Sequence, residues 1–582
     1  MITLTPSQRT IVETDGHVLA LAGPGSGKTR IAVAKIEHLV RTKQIEYPFG
    51  ILAVTFSDTA SRELRARIHQ HVPLARDVVW CGTFHGFGTR VLRSYGSRIG
   101  VAEDFVVADS VDTFAFREAV LRIVPTLTNS QLKDQIEEAK RHDVYPGDRG
   151  AMADDADFQT AYAAYQQELR AANMLDFSDL VALGHRLLVQ HPDVLELVRN
   201  KFRYVIADEF QDTDALQLEM MALITRPLMG SLIVADDDQA IFEWRGAQRA
   251  NVREVATRLG CAQFPLVENH RSGRAIVEAA SAVIAYDLDR TEKRLTSALT
   301  GGRILGKSFG TPDEEATAIL AAVEEHLVLG VAPHEIAIIS RARYRNDSIV
   351  SALRRLSVPW FDRGALTHHD SWDTSAALAL AQLSGTRDDS VALALLVHAM
   401  DQSGLVDDGL EYACKLRSAL GEIHVARFVQ DVRAIRQRSG LETTITRYAQ
   451  ASERRRVARN LALLEADLAT QLDAGSSMHR AITCILGEGA VQFCSGHAVK
   501  GREFDIVFLM GLEDDILPSY RSHRNASQLS QERRVFYVAL TRARREVRLS
   551  YAHTRRSRSG GMEAKTGSRF LAELPSESIQ NW

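Results

Sequence analysis

The chain has 582 residues, of which 45% are hydrophobic and 25% are charged, and its formal net charge is −4. This is the composition of a globular protein of several domains, since a domain typically takes about 150 residues. The net charge by itself does not indicate a nucleic-acid-binding protein, so any DNA binding must come from a local groove. The five cysteines form no CxxC pair, and no apolar run approaches the roughly 18 residues of a membrane span.

The N-terminal third alternates strand-like apolar runs with helical patterns, which is typical of a parallel α/β sheet. The alternation stops at 109–180, where Tyr162, Tyr165 and Leu169 share one face of a helical pattern. We therefore predict a first sheet domain at 1–108 and 181–266, interrupted by a helical insertion at 109–180. Its strands are predicted at 17–22, 51–56, 78–83, 204–207 and 232–235.

A second α/β unit is predicted at 267–372 and 488–582. Thr311, Pro312, Asp313 and Glu314 have the pattern of a capping box at the start of a helix. Strands are predicted at 336–340, 505–511 and 546–551. The intervening stretch, 373–487, is again helical in pattern and predicts a second insertion.

A glycine-rich run lies between the first predicted strand and a helical pattern. Glycines let backbone N–H groups turn toward phosphate oxygens, and the helix start adds a favourable dipole. Lys28 is predicted to hold the β- and γ-phosphates of a nucleotide, and Thr29 to give a hydroxyl ligand to Mg²⁺. The run has Ala where the usual pattern begins with Gly. It consists of Ala22, Gly23, Pro24, Gly25, Ser26, Gly27, Lys28 and Thr29.

Two acids at the end of a strand-like run supply the other half of such a site. The apolar stretch 204–207 is followed by Asp208 and Glu209. We expect Asp208 to bind Mg²⁺ and Glu209 to orient or deprotonate the water that attacks the γ-phosphate. Together with the glycine-rich run, the acids predict an enzyme that hydrolyses ATP with Mg²⁺.

Further motifs narrow the class of ATPase. They are DEFQDT at 208–213, VADDDQAIFEWRGA at 234–247, ENHRS at 268–272, HAVKGREF at 497–504 and YVALTRAR at 537–544. Together they closely resemble the UvrD/Rep-type superfamily 1A DNA helicases, in order from Pro6 to Leu571, and the resemblance weakens only in the two insertions. It implies two RecA-like motor domains, each a parallel sheet with helices on both faces, with ATP in the cleft between them.

The resemblance implies nucleotide contacts from both domains. Gln8 is expected to read the adenine, Glu503 to contact the sugar, and Gln239 to sense the γ-phosphate. Arg271 and Arg542 are expected to act as arginine fingers that neutralise charge on the transferring phosphoryl group.

The chain departs from the family at several positions. His270 stands where the family usually has a tyrosine that stacks on adenine, and Lys35 where it usually has the partner arginine. Both changes weaken stacking on the base. The second insertion spans only about 115 residues and lacks a Gly-Ile-Gly hairpin motif, so we expect a reduced counterpart of the family's 2B subdomain.

A single-stranded DNA track is also implied. Aromatic faces suit it because every base has a π-surface. The matching positions are Thr55, Phe56, Thr83, His85, Phe177, Phe242, Trp244, Arg245 and His497.

The leading hypothesis is an ATP- and Mg²⁺-dependent DNA helicase that moves 3′ to 5′ on single-stranded DNA, acts at duplex junctions, and serves repair, recombination or replication restart. It is expected in the cytoplasm, at the nucleoid, without a membrane partner. A second hypothesis is a DNA-stimulated motor subunit of a larger complex, for protein displacement or anti-phage defence. A third is a nucleotide-switched DNA-binding module without productive turnover.

Overall fold

The computed structural model describes residues 2–362 and 489–582 apart from short gaps, together with a few residues between 374 and 464. The gaps are 76, 109, 149–154, 226–228, 342–346, 354, 357–359 and 557–560. Most of the predicted insertion at 373–487 lies outside the described residues, and the domain boundaries stay predictions.

The first sheet has six parallel strands in the order β3-β2-β6-β7-β1-β8. Its central strands β2 and β7 are buried at every position, as expected for a parallel sheet covered on both faces. All five predicted strands are present within two residues of their predicted ends, and β8 was not predicted. The strands are β1 His17–Ala22, β2 Gly50–Thr55, β3 Val79–Thr83, β6 Phe202–Ala207, β7 Gly230–Ala235 and β8 Ala262–Leu266.

Eleven helices accompany this sheet in the described residues up to 266. The predicted shared face on α7 is confirmed, because Tyr162, Tyr165 and Leu169 are all buried. They belong to one apolar cluster with Leu19 and Leu52 of the sheet, so the helical insertion and the sheet share a continuous core. The helices are α1 Pro6–Glu13, α2 Lys28–Arg41, α3 Asp58–His71, α4 Phe84–Tyr95, α5 Ser110–Leu121, α6 Asn129–Arg141, α7 Ala156–Ala171, α8 Phe177–Gln190, α9 Pro192–Lys201, α10 Ala215–Thr225 and α11 Ala250–Leu259, with a short parallel pair β4 Val106–Val107 and β5 Met174–Leu175.

The second sheet has seven parallel strands in the order β13-β14-β12-β15-β16-β11-β19. The three strands predicted here are confirmed, and the other four were not predicted. The strands are β11 Arg303–Phe309, β12 Ile336–Ser340, β13 Trp360–Asp362, β14 Val491–Ser495, β15 Phe504–Leu509, β16 Ala543–Ala552 and β19 Ile579–Asn581.

The remaining elements complete this second half. Two smaller pairs are β9 Glu268–Gly273 with β10 Thr296–Leu299, and β17 Thr554–Arg556 with β18 Met562–Ala564. The helices are α12 Arg274–Ile284, α13 Pro312–Val328, α14 Asp347–Leu353 and α15 Ala526–Leu540. The predicted α/β class with two parallel sheets flanked by helices is confirmed.

The predicted capping box at α13 is only half formed. Thr311 caps the helix by accepting a hydrogen bond from the Glu314 N–H (3.2 Å). The Glu314 carboxylate accepts instead from the Gly310 N–H (3.0 Å), one residue before the cap. Within the described residues, no helix combines the length and apolar composition that a bilayer crossing requires.

Candidate nucleotide site and nucleic-acid interface

The glycine-rich run forms a tight loop between β1 and α2. Gly25 and Gly27 have φ values of +66° and +89°, which glycine adopts without strain. A Cβ atom on Gly25 would lie 2.7 Å from the Cβ of Arg271, so the loop is closely approached by the second half of the chain. The Ser26 hydroxyl donates to the Gly23 carbonyl (2.7 Å). Because α2 begins directly after this turn, its unpaired N–H groups can bind phosphate there.

Lys28 opens α2 and lies opposite Glu209. Its ammonium nitrogen is 3.2 Å from Glu209 Oε1, and the side chain is only 11% exposed. Among the described residues, this nitrogen has no hydrogen-bond partner of good geometry beyond that ion pair. A buried ammonium with spare donors fits the phosphate oxygens that the loop would bring beside it.

Asp208 and Glu209 leave β6 in an uncommon conformation. The Asp208 N–H donates to the Val54 carbonyl on β2 (3.0 Å), and the Glu209 N–H donates to Asp208 Oδ1 (2.9 Å). Glu209 has a φ of +54°, and residues with side chains in this region cluster at functional sites. Burial and Glu209 raise the pKa of Asp208 to about 7. Burial also opposes ionisation of Glu209, but Lys28 and Lys500 outweigh it and lower its pKa to about 2.

These residues fit a divalent cation. Asp208 is 5% exposed, and a buried carboxylate with a raised pKa gains stability from an added positive charge. Thr29 is the second residue of α2 and is half-buried beside the phosphate loop. Carboxylate, hydroxyl and phosphate oxygens are the ligands that Mg²⁺ prefers.

Gln8 is held against the phosphate loop. Its Nε2 donates to the Ser26 carbonyl (3.0 Å), and its Oε1 accepts from the Thr5 N–H (3.1 Å) in the capping box of α1. The residue is 1% exposed. The amide is therefore oriented beside the loop, and these two bonds leave one Nε2 hydrogen and one Oε1 lone pair for the edge of a base.

Strand β9 brings the second half of the chain onto the same loop. Asn269 Nδ2 donates to the Pro24 carbonyl (2.7 Å), and the His270 N–H donates to the Gly25 carbonyl (2.9 Å). The His270 ring is exposed and lies 3.5 Å from the Glu268 carboxylate. His270, at the position that stacks on adenine in the family, therefore lies next to the loop. Asn269, which the sequence did not single out, holds this strand against the loop by its hydrogen bond.

Arg271 lies at the edge of the loop with Glu503. Its Nε donates to Glu503 Oε2 (2.7 Å), and its Nη1 donates to the Thr541 carbonyl (3.4 Å). Burial opposes ionisation of Glu503, but Arg271 outweighs it and lowers the pKa of the carboxylate. The structure thus brings the predicted sugar contact and one predicted arginine finger together as an ion pair.

Arg542 meets Gln239 across the boundary between the two sheets. Arg542 Nη2 donates to Gln239 Oε1 (3.1 Å), while its Nε donates to the Val538 carbonyl (2.8 Å) on α15. The Gln239 Nε2 donates to Asp236 Oδ2 (2.5 Å). Burial, with the positive charge of the neighbouring Arg271, lowers the pKa of Arg542 to about 9. Arg271 therefore lies against the phosphate loop, and Arg542 contacts Gln239, the predicted γ-phosphate sensor.

A row of rings, here called the aromatic row, begins beside this site. Phe56 stacks on Phe242 with ring centres 5.2 Å apart. The His497 ring lies 6.1 Å from both Phe242 and Trp244, and the Arg245 guanidinium lies 4.7 Å from the Trp244 ring. Trp244 is 62% exposed, so one of its faces is open to a base. Because His497 follows β14 of the second sheet, the row crosses the domain boundary.

A second ring pair lies on the first half of the chain. His85 stacks on Phe177 with centres 3.9 Å apart, and Phe177 is 56% exposed. Burial lowers the pKa of His85 to about 4, so this imidazole is neutral near pH 7 and offers a ring face rather than a charge. Thr83, which was also predicted to line the DNA track, is buried, and its hydroxyl caps α4 by accepting from the Gly86 N–H (3.1 Å). It therefore supports the ring pair and is not presented to DNA.

Two family models match most of the chain. The UvrD/REP helicase N-terminal domain matches residues 4–259, and the UvrD-like helicase C-terminal domain matches 264–405 and 435–554. The chain belongs to the UvrD/Rep helicase family. The ATP-dependent DNA helicase PcrA of Leuconostoc citreum is 30% identical, over 97% of this chain and 84% of that protein. The PcrA proteins of Staphylococcus aureus and Staphylococcus epidermidis are each 27% identical, over 99% and 98% of this chain and 87% and 86% of theirs.

The interpretation of Lys35 as the cation beside the adenine is wrong. Lys35 is 1% exposed, and its ammonium donates to the carbonyls of Val12 (2.9 Å) and Thr14 (2.8 Å) at the end of α1. It lies seven residues after Lys28, about 10 Å further along the helix, where the same face packs into the domain. Arg30 is the exposed cation on the first turn of α2, beside Gly27, and helical spacing could have identified it.

Thr55 also departs from its predicted role. It is fully buried at the end of β2, and its hydroxyl donates to the Ser57 carbonyl (3.0 Å). Its side chain therefore shapes the turn after the strand and is not presented to DNA. Phe56, the next residue, is half-buried and belongs to the aromatic row.

Lys500 is a contact across the boundary that the sequence did not single out, although it lies in the 497–504 motif of this helicase family. Its ammonium donates to the Asp212 carboxylate and to the Gln239 carbonyl (2.6 Å), and lies 3.8 Å from Glu209 Oε2. The same nitrogen lies 5.4 Å from the centre of the Phe242 ring. One side chain thus touches the acid pair, the Gln239 segment and the aromatic row.

Proposed function

We propose that this protein is an ATP- and Mg²⁺-dependent DNA helicase that translocates 3′ to 5′ along single-stranded DNA and separates the duplex ahead. The observation that carries the proposal is that residues of both sheet domains meet around one phosphate loop. Lys28 pairs there with Glu209, Arg271 lies against the loop, and Arg542 donates to Gln239. Single-strand–duplex junctions are the substrate that such an activity requires, and these arise in repair, recombination and replication restart.

The proposed hydrolysis step divides the work between the two domains. Lys28 binds the β- and γ-phosphate oxygens, and Asp208 with Thr29 holds Mg²⁺, which neutralises developing charge when it is bound. The ionised Glu209 orients the attacking water and accepts its proton. Arg271 and Arg542 stabilise charge on the transferring phosphoryl group, so turnover requires that the second domain stay close to the loop.

Coupling to DNA rests on the segment that contains both Gln239 and Trp244. Gln239 contacts Arg542 at the nucleotide side, and five residues later Trp244 belongs to the aromatic row. A base stacked on Trp244 would restrain the same segment that contacts the arginine. DNA occupancy and hydrolysis are therefore expected to depend on one another.

Two assays test this proposal. ATP turnover should rise many-fold when single-stranded DNA is added, and a duplex with a 3′ single-stranded tail should be separated while a duplex with a 5′ tail is not. Turnover that is indifferent to DNA contradicts the motor and favours a nucleotide-switched binding module. Separation of only the 5′-tailed duplex contradicts the polarity alone.

A second candidate is a motor subunit that hydrolyses ATP on DNA but does not separate strands by itself. It is favoured by one observation, that the C-terminal family model leaves residues 406–434 unmatched within the predicted 373–487 insertion. DNA-stimulated turnover without separation of either tailed duplex, restored by an added protein partner, is the result expected for this candidate.

A further inference from the structure

Three consecutive carboxylates begin the segment that contains Gln239. Asp236, Asp237 and Asp238 are all buried, and their oxygens lie within 4.8 Å of one another. Such a group could hold a metal ion, but its centre is taken by Lys293. The Lys293 ammonium lies 2.7, 2.5 and 3.2 Å from the three carboxylates in turn, and its side chain is 1% exposed.

The cationic side chains that contact these three carboxylates belong to residues 285–295. This stretch lies between α12 and β10, outside every motif named above. Arg290 makes a bidentate contact, donating through Nε (2.8 Å) and Nη2 (2.7 Å) to Asp238. The Thr291 N–H donates to Asp237 Oδ2 (2.7 Å). A Cβ atom on Gly23 would meet the Leu295 side chain, so the same stretch also covers the phosphate loop.

The contacts of Lys293 continue to the hydrolytic residues. Asp236 shares its two oxygens, since Oδ1 accepts from Lys293 (2.7 Å) and Oδ2 accepts from Gln239 Nε2 (2.5 Å). With its NH₂ group fixed in this way, the Gln239 amide must direct its oxygen at Arg542, which donates to it (3.1 Å).

The neighbouring contacts reinforce this geometry. The Asp236 N–H donates to Gln211 Oε1 (2.8 Å), and Gln211 Nε2 donates to the Glu209 carboxylate. Ile241 is fully buried in the apolar cluster of the second sheet domain. The segment from Asp236 to Ile241 is therefore anchored to the second domain by ion pairs at one end and by apolar packing at the other.

We propose that Lys293, supported by Arg290, is a positioning residue for ATP hydrolysis that holds Asp236 in the orientation that presents the Gln239 oxygen to Arg542. This inference rests on the proposed function, because it assigns a role to Gln239 and Arg542 at the γ-phosphate. The electrostatic setting agrees with it, since Lys293 outweighs burial and lowers the pKa of Asp237 to about 2.

Loss of the Lys293 charge would leave three buried carboxylates with one cation in contact among the described residues, Arg290 on Asp238. Protonation or rotation of Asp236 then relieves the repulsion and releases the Gln239 NH₂ group. A rotated amide places its NH₂ group against the Arg542 guanidinium, where donor meets donor. The nucleotide-binding loop itself is unchanged, so turnover should fall without a matching loss of ATP affinity.

The test compares Lys293→Met with Arg533→Met in the full chain. Arg533 makes a similarly buried bidentate pair with Glu573 (2.8 and 2.8 Å), within the second domain, and so controls for loss of a buried ion pair. With single-stranded DNA saturating, Lys293→Met should lower kcat at least about ten-fold and change KM for ATP less than about three-fold. Lys293→Arg should recover part of the loss, and Arg533→Met should keep wild-type turnover.

A double variant separates positioning from general damage. Because Lys293 is argued to act through Gln239, Lys293→Met combined with Gln239→Ala should be no slower than Gln239→Ala alone. Additive losses, or a folded Lys293→Met enzyme with the kcat of Arg533→Met, would overturn the proposal.

A second variant covers the case in which Lys293→Met does not fold. If near-ultraviolet circular dichroism shows that Lys293→Met does not fold, the Arg290→Gln protein is measured in its place. We expect its kcat to fall while its KM for ATP stays the same. Unchanged kcat and KM would refute the positioning role. The proposed function is contradicted by a different result, namely a wild-type protein whose ATP turnover does not rise with DNA. In that case the positioning role is tested by comparing the DNA-independent turnover of the same variants.

Discussion

Trp244→Ala removes the most exposed ring of the aromatic row. In the structure this ring is 62% exposed, with His497 at its edge (6.1 Å) and Arg245 over one face (4.7 Å). The indole is therefore held at a fixed angle while surface remains open for a base. Its removal should weaken binding to single-stranded DNA without altering the nucleotide loop.

The size of the effect follows from these contacts. Stacking of one base on an aromatic side chain is worth about 1–3 kcal/mol. Because Arg245 already covers one face, and because the contact is solvent-exposed, we expect a loss of roughly 1–2 kcal/mol. At 1.4 kcal/mol for each ten-fold change, Kd should rise about 5- to 30-fold. Gln239 keeps its contacts with Asp236 and Arg542, so DNA-independent turnover should change less than about three-fold.

Fluorescence anisotropy with a labelled oligonucleotide measures this directly. The slope of log Kd against log salt concentration should stay constant, because stacking, unlike phosphate contact, releases no counterions. Tyr47→Ala is the matched control, since Tyr47 is 78% exposed but precedes β2, whereas Phe56 follows its other end. A Trp244→Ala protein with an affinity within about two-fold of the Tyr47→Ala protein would refute the stacking role.

Three further predictions concern the nucleotide site and the core. Lys28→Ala should reduce phosphate release to background while single-stranded DNA binding by anisotropy persists; turnover above about one-tenth of wild type would contradict the phosphate role of this lysine. Arg542→Ala should lower the single-turnover rate of hydrolysis about 10³-fold or more, measured by rapid quench, and a loss below about ten-fold would exclude an arginine finger at this position. Lys35→Met should leave KM for ATP unchanged but alter the pH dependence of stability. Burial lowers the pKa of Lys35 to about 8 in the folded protein, against 10.5 ordinarily, so between these values the unfolded chain binds the extra proton. The free energy of unfolding of wild type, relative to Lys35→Met, should therefore rise by up to about 3 kcal/mol from pH 8 to 10.5 in urea titrations, and a constant difference would contradict the assignment.

The predictions from sequence succeeded where a local pattern has one physical solution. Strand-like runs of four to seven residues gave eight of the thirteen strands in the two sheets, because a buried parallel strand needs a largely apolar stretch. They missed β8, β11, β13, β14 and β19, which lie at or next to a sheet edge. All of these except β14 carry several partly exposed residues. The capping box at Thr311 was half right, since the local sequence allows Glu314 to accept from either of two neighbouring N–H groups.

The sequence by itself determined the glycine-rich phosphate loop, the acid pair after β6 and the family, because each depends on residue types at short fixed spacing. Only the tertiary structure decided which side chains face the site. The side chains of Lys35 and Thr55 are buried away from it. Lys293 and Lys500, from distant parts of the chain, contact the acidic residues of the hydrolytic segment. Contacts between residues some 55 to 290 positions apart depend on how the two sheets meet, and no spacing along the chain encodes that distance.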